Sequence, residues 1–216
     1  MSKRFNITRN YYNENEYIYD KNTVTFKEGV TVLIGCNGSG KTTLLQQINE
    51  KCENNNIPVL MFDNYRDGGS HSISKAGFYG DTNFLVQGLI SSEGEIISSN
   101  ISKFAHEMGR FVSKNKNAEK IFFLLDAIDS GYSIDNILET KRYLFDTCIK
   151  SCNSKGIEIY IIVSANEYEM ANGENCLDIS SLRYVPVPDY ETYRNIIIET
   201  RKKKNKRYKW DEFDLS

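Results

Sequence analysis

"VTVLIGCNGSGKTTLL" (Val30–Leu45) decides how this chain folds. Val30 to Ile34 is an apolar, β-branched run of strand length. Three glycines follow at 35, 38 and 40, and then Leu44, Leu45, Ile48 and Cys52 recur at helical spacing. A strand that enters a glycine-rich turn and leaves it as a helix is the local plan of a phosphate cradle. "GCNGSGKT" (Gly35–Thr42) fits G-x-x-x-x-G-K-[ST] in that setting. Glycines let the backbone curl so that successive N–H groups converge on phosphate oxygens. The start of the helix adds partial positive charge. The pattern assigns Lys41 to the β- and γ-phosphates, the Thr42 hydroxyl to Mg²⁺ and Thr43 to the α-phosphate. Gly35, Asn37, Gly38, Ser39 and Gly40 form the loop itself.

Outward from this loop, apolar strands alternate with helical patterns. "VLMFD" (59–63) is a short strand after "NNNIP", and residues 95–113 form a helix through Ile96, Ile97, Ile101, Phe104 and Phe111. Ile121–Leu125 and the stretch "IEIYIIVSAN" (157–166) are continuous apolar strands of the kind buried on both faces. Between them, Ile134, Ile137, Leu138, Phe145, Cys148, Ile149 and Cys152 line one face of a helix. "CLDISSLRYVPV" (176–187) reads as short closing strands, and Tyr190 to Tyr208 as a final helix with a basic end. The order predicts an α/β fold with a mainly parallel sheet. Phe5, Ile7, Tyr17, Ile18, Tyr19, Val24 and Phe26 place extra, antiparallel strands beside it in the first 30 residues. The whole of 1–216 reads as a single domain. Its parts are flanking strands over 1–30, a phosphate-loop core over 31–166, and C-terminal strands with a basic helix over 167–216.

"IFFLLDAIDSG" (Ile121–Gly131) is the second chemical motif. A phosphate-loop enzyme holds Mg²⁺ with an aspartate at the end of a neighbouring strand, and Asp126 ends the strongest apolar run after the loop.

Together "GCNGSGKTTLL" and "LLDAIDSG" resemble the ABC-type ATPases over about residues 24–166. The likeness is closer to their soluble SMC and RecF-like branch than to transporters. It implies an ABC-ATPase-like head that binds ATP and Mg²⁺ and pairs head to tail as a homodimer with ATP between the copies. The stretch from Cys52 to Ser91 is too short for the coiled-coil arms of that branch, so this would be a bare head. The resemblance also implies a signature element that presses on the partner's γ-phosphate. "LISSEGE" (89–95) stands in its place, with Ser92 for the signature serine and Gly94 for its second glycine, while Glu93 departs from the pattern. Read without the resemblance, the same residues are a helix N-cap with an acidic first turn. "SGYSID" (130–135) occupies the place of the loop that crosses the dimer interface. Asn166 stands where many members keep a γ-phosphate histidine, and it brings a hydrogen-bond donor without charge. The amide nearest the place of the lid-linking glutamine is Asn64. Tyr11, Tyr12 and Tyr17 are the candidates for stacking on adenine. ATP rather than GTP follows from the resemblance, and no N-K-x-D guanine-reading stretch accompanies it.

The chain departs from the family at Ala127, where the resemblance implies the glutamate that polarises the attacking water. A methyl group cannot accept a proton, and losing a general base costs about 10²–10⁴-fold in rate. Two readings follow. Either this is an ATPase scaffold arrested at the ATP-bound stage, with Ala127 standing where a glutamate was replaced, or it is a natural ATP-gated switch. A transporter's nucleotide-binding subunit is a third reading, disfavoured by the D-x-I-D pattern and the little room before residue 89. The resemblance places the work in DNA or RNA metabolism or in phage–host defence, with an effector protein as a further partner.

The remaining features bound these readings. A net charge of −2 gives no global pull towards nucleic acid or membrane. "RKKKNKRYKW" (Arg201–Trp210) is the one basic run, and it reads either as a nucleic-acid patch with Tyr208 and Trp210 to stack on bases, or as a solvated helix end. No apolar run is long enough to span a membrane, and the N-terminus has no signal-peptide core, so a cytoplasmic protein is expected. The five cysteines lack metal-site spacing and read as reduced thiols, Cys148 and Cys152 among them as a buried pair. Richness in Asn, Lys, Ile and Tyr is that of A/T-rich coding, as in a low-GC bacterium or its phage.

Overall fold

The run Val30–Ile34 lies in the interior of a six-stranded sheet. The structure is a computed structural model that describes residues 1–9, 17–63 and 93–208. Its strands are β1 (Ser2–Asn6), β2 (Thr23–Lys27), β3 (Gly29–Ile34), β4 (Val59–Asp63), β5 (Lys120–Asp126), β6 (Glu158–Ser164), β7 (Asn175–Asp178) and β8 (Arg183–Val185). Its helices are α1 (Lys41–Asn54), α2 (Glu93–Lys114), α3 (Ile134–Glu139), a π-helical turn (Thr140–Phe145), α4 (Asp146–Asn153), α5 (Tyr168–Ala171) and α6 (Tyr190–Tyr208). The sheet order is β4-β5-β6-β3-β7-β8. Every neighbouring pair in it is parallel except β7 with β8. The antiparallel pair β1–β2 forms a separate small sheet. The predicted α/β class, mainly parallel sheet and flanking N-terminal strands are all present.

Period-two alternation sorts the central strands onto two cores. Ile121, Phe123 and Leu125 of β5 join Ile159, Ile161 and Val163 of β6 and Val30, Val32 and Ile34 of β3 on one face, under α2, α4 and α6. Phe122, Leu124, Tyr160, Ile162 and Leu33 face the other way, against Leu44, Leu45 and Ile48 of α1 and Phe5, Val24 and Phe26 of β1–β2. Phe122 and Tyr160 stack across this second face at 4.6 Å, with an interplanar angle of 5°. Continuous apolar runs are therefore strands covered on both sides, as parallel strands are.

The segment before β2 is tied to α1 by side chains. Gln47 accepts from the Thr8 N–H at 2.7 Å and donates to the Thr8 carbonyl at 3.1 Å. The buried Tyr19 hydroxyl donates to the Gly40 carbonyl at 2.7 Å. Gly40 has φ +102°, and a Cβ there would lie 2.5 Å from Ile18 Cγ2. Only glycine meets both demands, so residues 18–19 brace the phosphate loop from beneath.

Two sequence expectations are corrected. Ile134 and Leu138 are not on the buried face: they are 62% and 52% exposed, while Ile137, Leu144, Phe145, Cys148 and Cys152 are buried. The π-helical turn over Thr140–Phe145 is the reason. It takes more residues per turn than an α-helix, so the apolar stripe before it is rotated away from the stripe after it. Second, β5 does not neighbour β3, because β6 lies between them. Asp126 reaches the phosphate loop across an intervening strand.

All five cysteines are free and buried. Among the described residues, no helix is long and apolar enough to cross a membrane.

Candidate functional site

Parallel strands present their carboxyl ends along one edge, and ligands bind there in open α/β sheets. Register sets what stands at that edge. Asp126 pairs with Ser164, and Ser164 pairs in turn with Leu33, one residue before the end of β3. The phosphate loop follows β3, the loop carrying Ala127 follows β5, and the loop carrying Asn166 follows β6. A pocket of about 420 Å³ opens at this edge, lined by the loop from Cys36 to Thr43 together with Asp126, Ala127, Ser164 and Asn166. Ile18 closes one side, and Lys204 and Arg207 of α6 another.

The loop has the geometry that its glycines predict. Gly38 has φ +71° and Gly40 φ +102°, and no side chain caps the first turn of α1. The first N–H groups of a helix have no intrahelical acceptor, so they are available to an anion. Lys41 is only 7% exposed. Its ammonium donates to the carbonyls of Gly35 at 2.7 Å and Cys36 at 3.5 Å. Burial lowers its pKa, opposed by Cys36, Asp129 and Asp126. A buried ammonium held by neutral carbonyls is a site that an anion would stabilise. The Ser39 hydroxyl is buried with no hydrogen-bond partner in the structure, a second sign that this loop is shaped around something polar. These features fit the polyphosphate of a nucleotide.

Asp126 is 6% exposed at the tip of β5. The Ser164 hydroxyl donates to its Oδ1 at 2.6 Å and accepts from the Ala127 N–H at 3.2 Å. Ser164 thus fixes the carboxylate and the residue after it together. No group of three or more His, Cys, Asp or Glu among the described residues could hold a metal by itself. Mg²⁺ binds through one or two protein oxygens plus substrate phosphate and water, and needs no such group. Asp126 and Thr42 line the same pocket.

Ala127 lines the pocket beside Asp126 and has φ +50°, the left-handed region that non-glycine residues rarely adopt. Asp129 stands behind the pocket wall. It is fully buried, outside the pocket lining, and its Oδ2 accepts from the Asn166 and Glu167 N–H groups at 2.8 Å each. Burial raises its pKa, against the pull of those two N–H groups. Its role is to tie the loop after β5 to the loop after β6. Asn166 Nδ2 also donates to Ser130 Oγ at 2.9 Å, and its carbonyl accepts from the Tyr193 hydroxyl at 3.0 Å. Asp129→Ala is expected to lower stability by about 2–3 kcal/mol, because each hydrogen bond to a carboxylate is worth roughly 1.5–3 kcal/mol and some burial cost is recovered. Asp129→Asn keeps the acceptor oxygen and should lose much less. Urea unfolding of the two variants checks this.

The structure therefore brings Gly35, Asn37, Gly38, Ser39, Gly40, Lys41, Thr42, Thr43, Asp126, Ala127 and Asn166 to one place. Gly94 lies in the first turn of α2, which begins at Glu93, while Ser92, Asn64, Tyr11, Tyr12 and Trp210 lie outside the described residues. Tyr17 does not line the pocket, and the Arg9 guanidinium sits 3.9 Å from its ring centroid. Sequence reasoning missed Ser164 and Asp129, and it read the basic run only as a nucleic-acid patch or a solvated helix end. In the fold, Lys204 donates to the Asn37 carbonyl, and Arg207 lines the same pocket. Their signal was present: Thr200, Lys204 and Arg207 lie at i, i+4 and i+7, so one face of α6 continues past its last apolar turn.

No protein-family model matches the sequence, and no curated protein matches it. Among solved structures, an ATP-binding cassette of an ABC transporter in its ADP conformation is similar, with a TM-score of 0.48 and 14% sequence identity. The likeness covers 97% of this chain and 98% of that one. Likeness at that level concerns the course of the chain and says nothing about substrate.

Proposed function

We propose that this chain binds Mg·ATP at the Lys41–Asp126 pocket, forms an ATP-bridged homodimer, and hydrolyses ATP slowly. One observation carries the reading: a buried lysine, a glycine loop with open helix N–H groups, and a serine-fixed aspartate face one pocket. The loop and α1 would bind the phosphates through N–H groups and the Lys41 ammonium. Thr42 and Asp126 would hold Mg²⁺, which supplies charge neutralisation for phosphoryl transfer. Asn166, locked by Asp129 and Ser130, would offer an uncharged donor towards the phosphates. Slow turnover follows from Ala127, which leaves the pocket without a base where the resemblance to ABC-type ATPases puts one.

The homodimer, with Ser92 and Gly94 acting on the partner's nucleotide, and the SMC and RecF-like role in nucleic-acid metabolism or defence rest on that resemblance. A natural ATP-gated switch acting on an effector protein is the alternative to an arrested enzyme, and restoring a glutamate at position 127 separates the two. Light scattering at saturating Mg·ATP tests the assembly. A doubling of mass on adding Mg·ATP is expected, and a monomer under those conditions would remove the dimer from the proposal.

A further inference from the structure

We propose that α6 is part of the nucleotide site, with Lys204 and Arg207 binding the polyphosphate from the same chain as Lys41. This deepens the nucleotide reading and rests on it.

The basic run divides by face. Arg201, Lys202, Lys203 and Lys206 are exposed, and Lys202 and Lys203 have acidic neighbours at the surface, Glu199 at 3.0 Å and Asp20 at 3.9 Å. Lys204 and Arg207 are half-buried on the other face and line the pocket. Three contacts dock that face. Tyr193 is buried in the core beneath the sheet edge. The Thr200 hydroxyl accepts from the Cys36 N–H at 2.9 Å while donating to the Ile197 carbonyl. The Lys204 ammonium donates to the Asn37 carbonyl at 3.0 Å. The same ammonium lies 2.8 Å from where a Cβ on Gly38 would stand, so glycine at 38 leaves room for this lysine as well as for the loop's own turn.

Charge favours the same conclusion. Three cations, Lys41, Lys204 and Arg207, face one pocket, and among its described lining residues the one carboxylate is Asp126. Cations that converge on one pocket are complementary to an anion, and a Mg²⁺-bound triphosphate is such an anion. Lysine and arginine on phosphate form charge-assisted hydrogen bonds, and arginine does so in bidentate geometry. With α6 committed in this way, the inward half of the run serves nucleotide rather than nucleic acid.

The test is equilibrium binding of Mg·ATP by isothermal titration calorimetry to the full chain and four variants. Lys204→Ala and Arg207→Ala are each expected to weaken binding by about tenfold or more, the worth of one charge-assisted hydrogen bond. Lys204→Arg should recover most of the loss. Lys202→Ala, on the outer face of the same run, should bind as the parent does. Melting curves of the variants without nucleotide should match the parent, which separates a ligand contact from a folding defect. If Lys204→Ala and Arg207→Ala bind like the parent, the role of α6 is overturned while the nucleotide reading stands. An equal loss in Lys202→Ala also overturns it, because a diffuse basic field then suffices. If the parent chain itself does not bind Mg·ATP, the nucleotide reading fails and this proposal fails with it.

Discussion

Ala127→Glu is expected to raise steady-state ATP hydrolysis by about 10²–10⁴-fold, the usual worth of a general base. The site is prepared for it. Position 127 follows Asp126, lines the pocket, and has its N–H held by Ser164. At φ +50°, alanine already bears the cost of the left-handed conformation, about 1–2 kcal/mol, so glutamate adds little further strain. A carboxylate placed next to Asp126 would also have its pKa raised by the like charge, towards the range useful to a base. Phosphate release measured for Ala127→Glu, against the same variant with Lys41→Ala, reads the effect. A clear rise says that the fold is built to hydrolyse and that the alanine arrests it. No rise says that nothing else in the pocket supports hydrolysis, and the switch reading then holds alone.

Lys41→Ala is expected to weaken Mg·ATP binding by about 10–100-fold, the loss of charge-assisted hydrogen bonds to phosphate from a site shielded from water. Its effect on the nucleotide-free chain runs the other way. The ammonium is buried against two carbonyls, and burial lowers its pKa. Removing it relieves a desolvation cost, so unfolding without nucleotide should shift by no more than about 1 kcal/mol. Calorimetric titration and thermal melts of one preparation check both halves. Large destabilisation with unchanged affinity would make Lys41 a structural residue.

The elements that carry chemistry locally were legible from the residues. Gly35–Thr42 declares itself because the strand, the turn and the helix are consecutive. Asp126 declares itself because five apolar residues precede it. What escaped depends on partners far along the chain. Ser164 meets Asp126 only because β5 and β6 run parallel in that register. Asp129 stands in the sequence only as the second aspartate of the D-x-I-D pattern, and its bonds to the Asn166 and Glu167 N–H groups follow from how two loops pack. Lys204 reaches Asn37 across 167 positions of sequence, and a basic helix end looks the same whether it faces water or a phosphate loop. The π-helical turn at Thr140–Phe145 rotates a stripe that α-helical spacing places on one face. Charge and periodicity give the elements, and docking decides which face of each one works.

The chain is expected above all to hold Mg·ATP and to hydrolyse it only slowly. Incubating the purified protein with Mg·ATP, separating bound from free nucleotide and identifying what stays bound tests it most directly. The expected result is about one nucleotide per chain, recovered as ATP after many minutes. Recovery of ADP at ordinary turnover, or of no bound nucleotide, would contradict it.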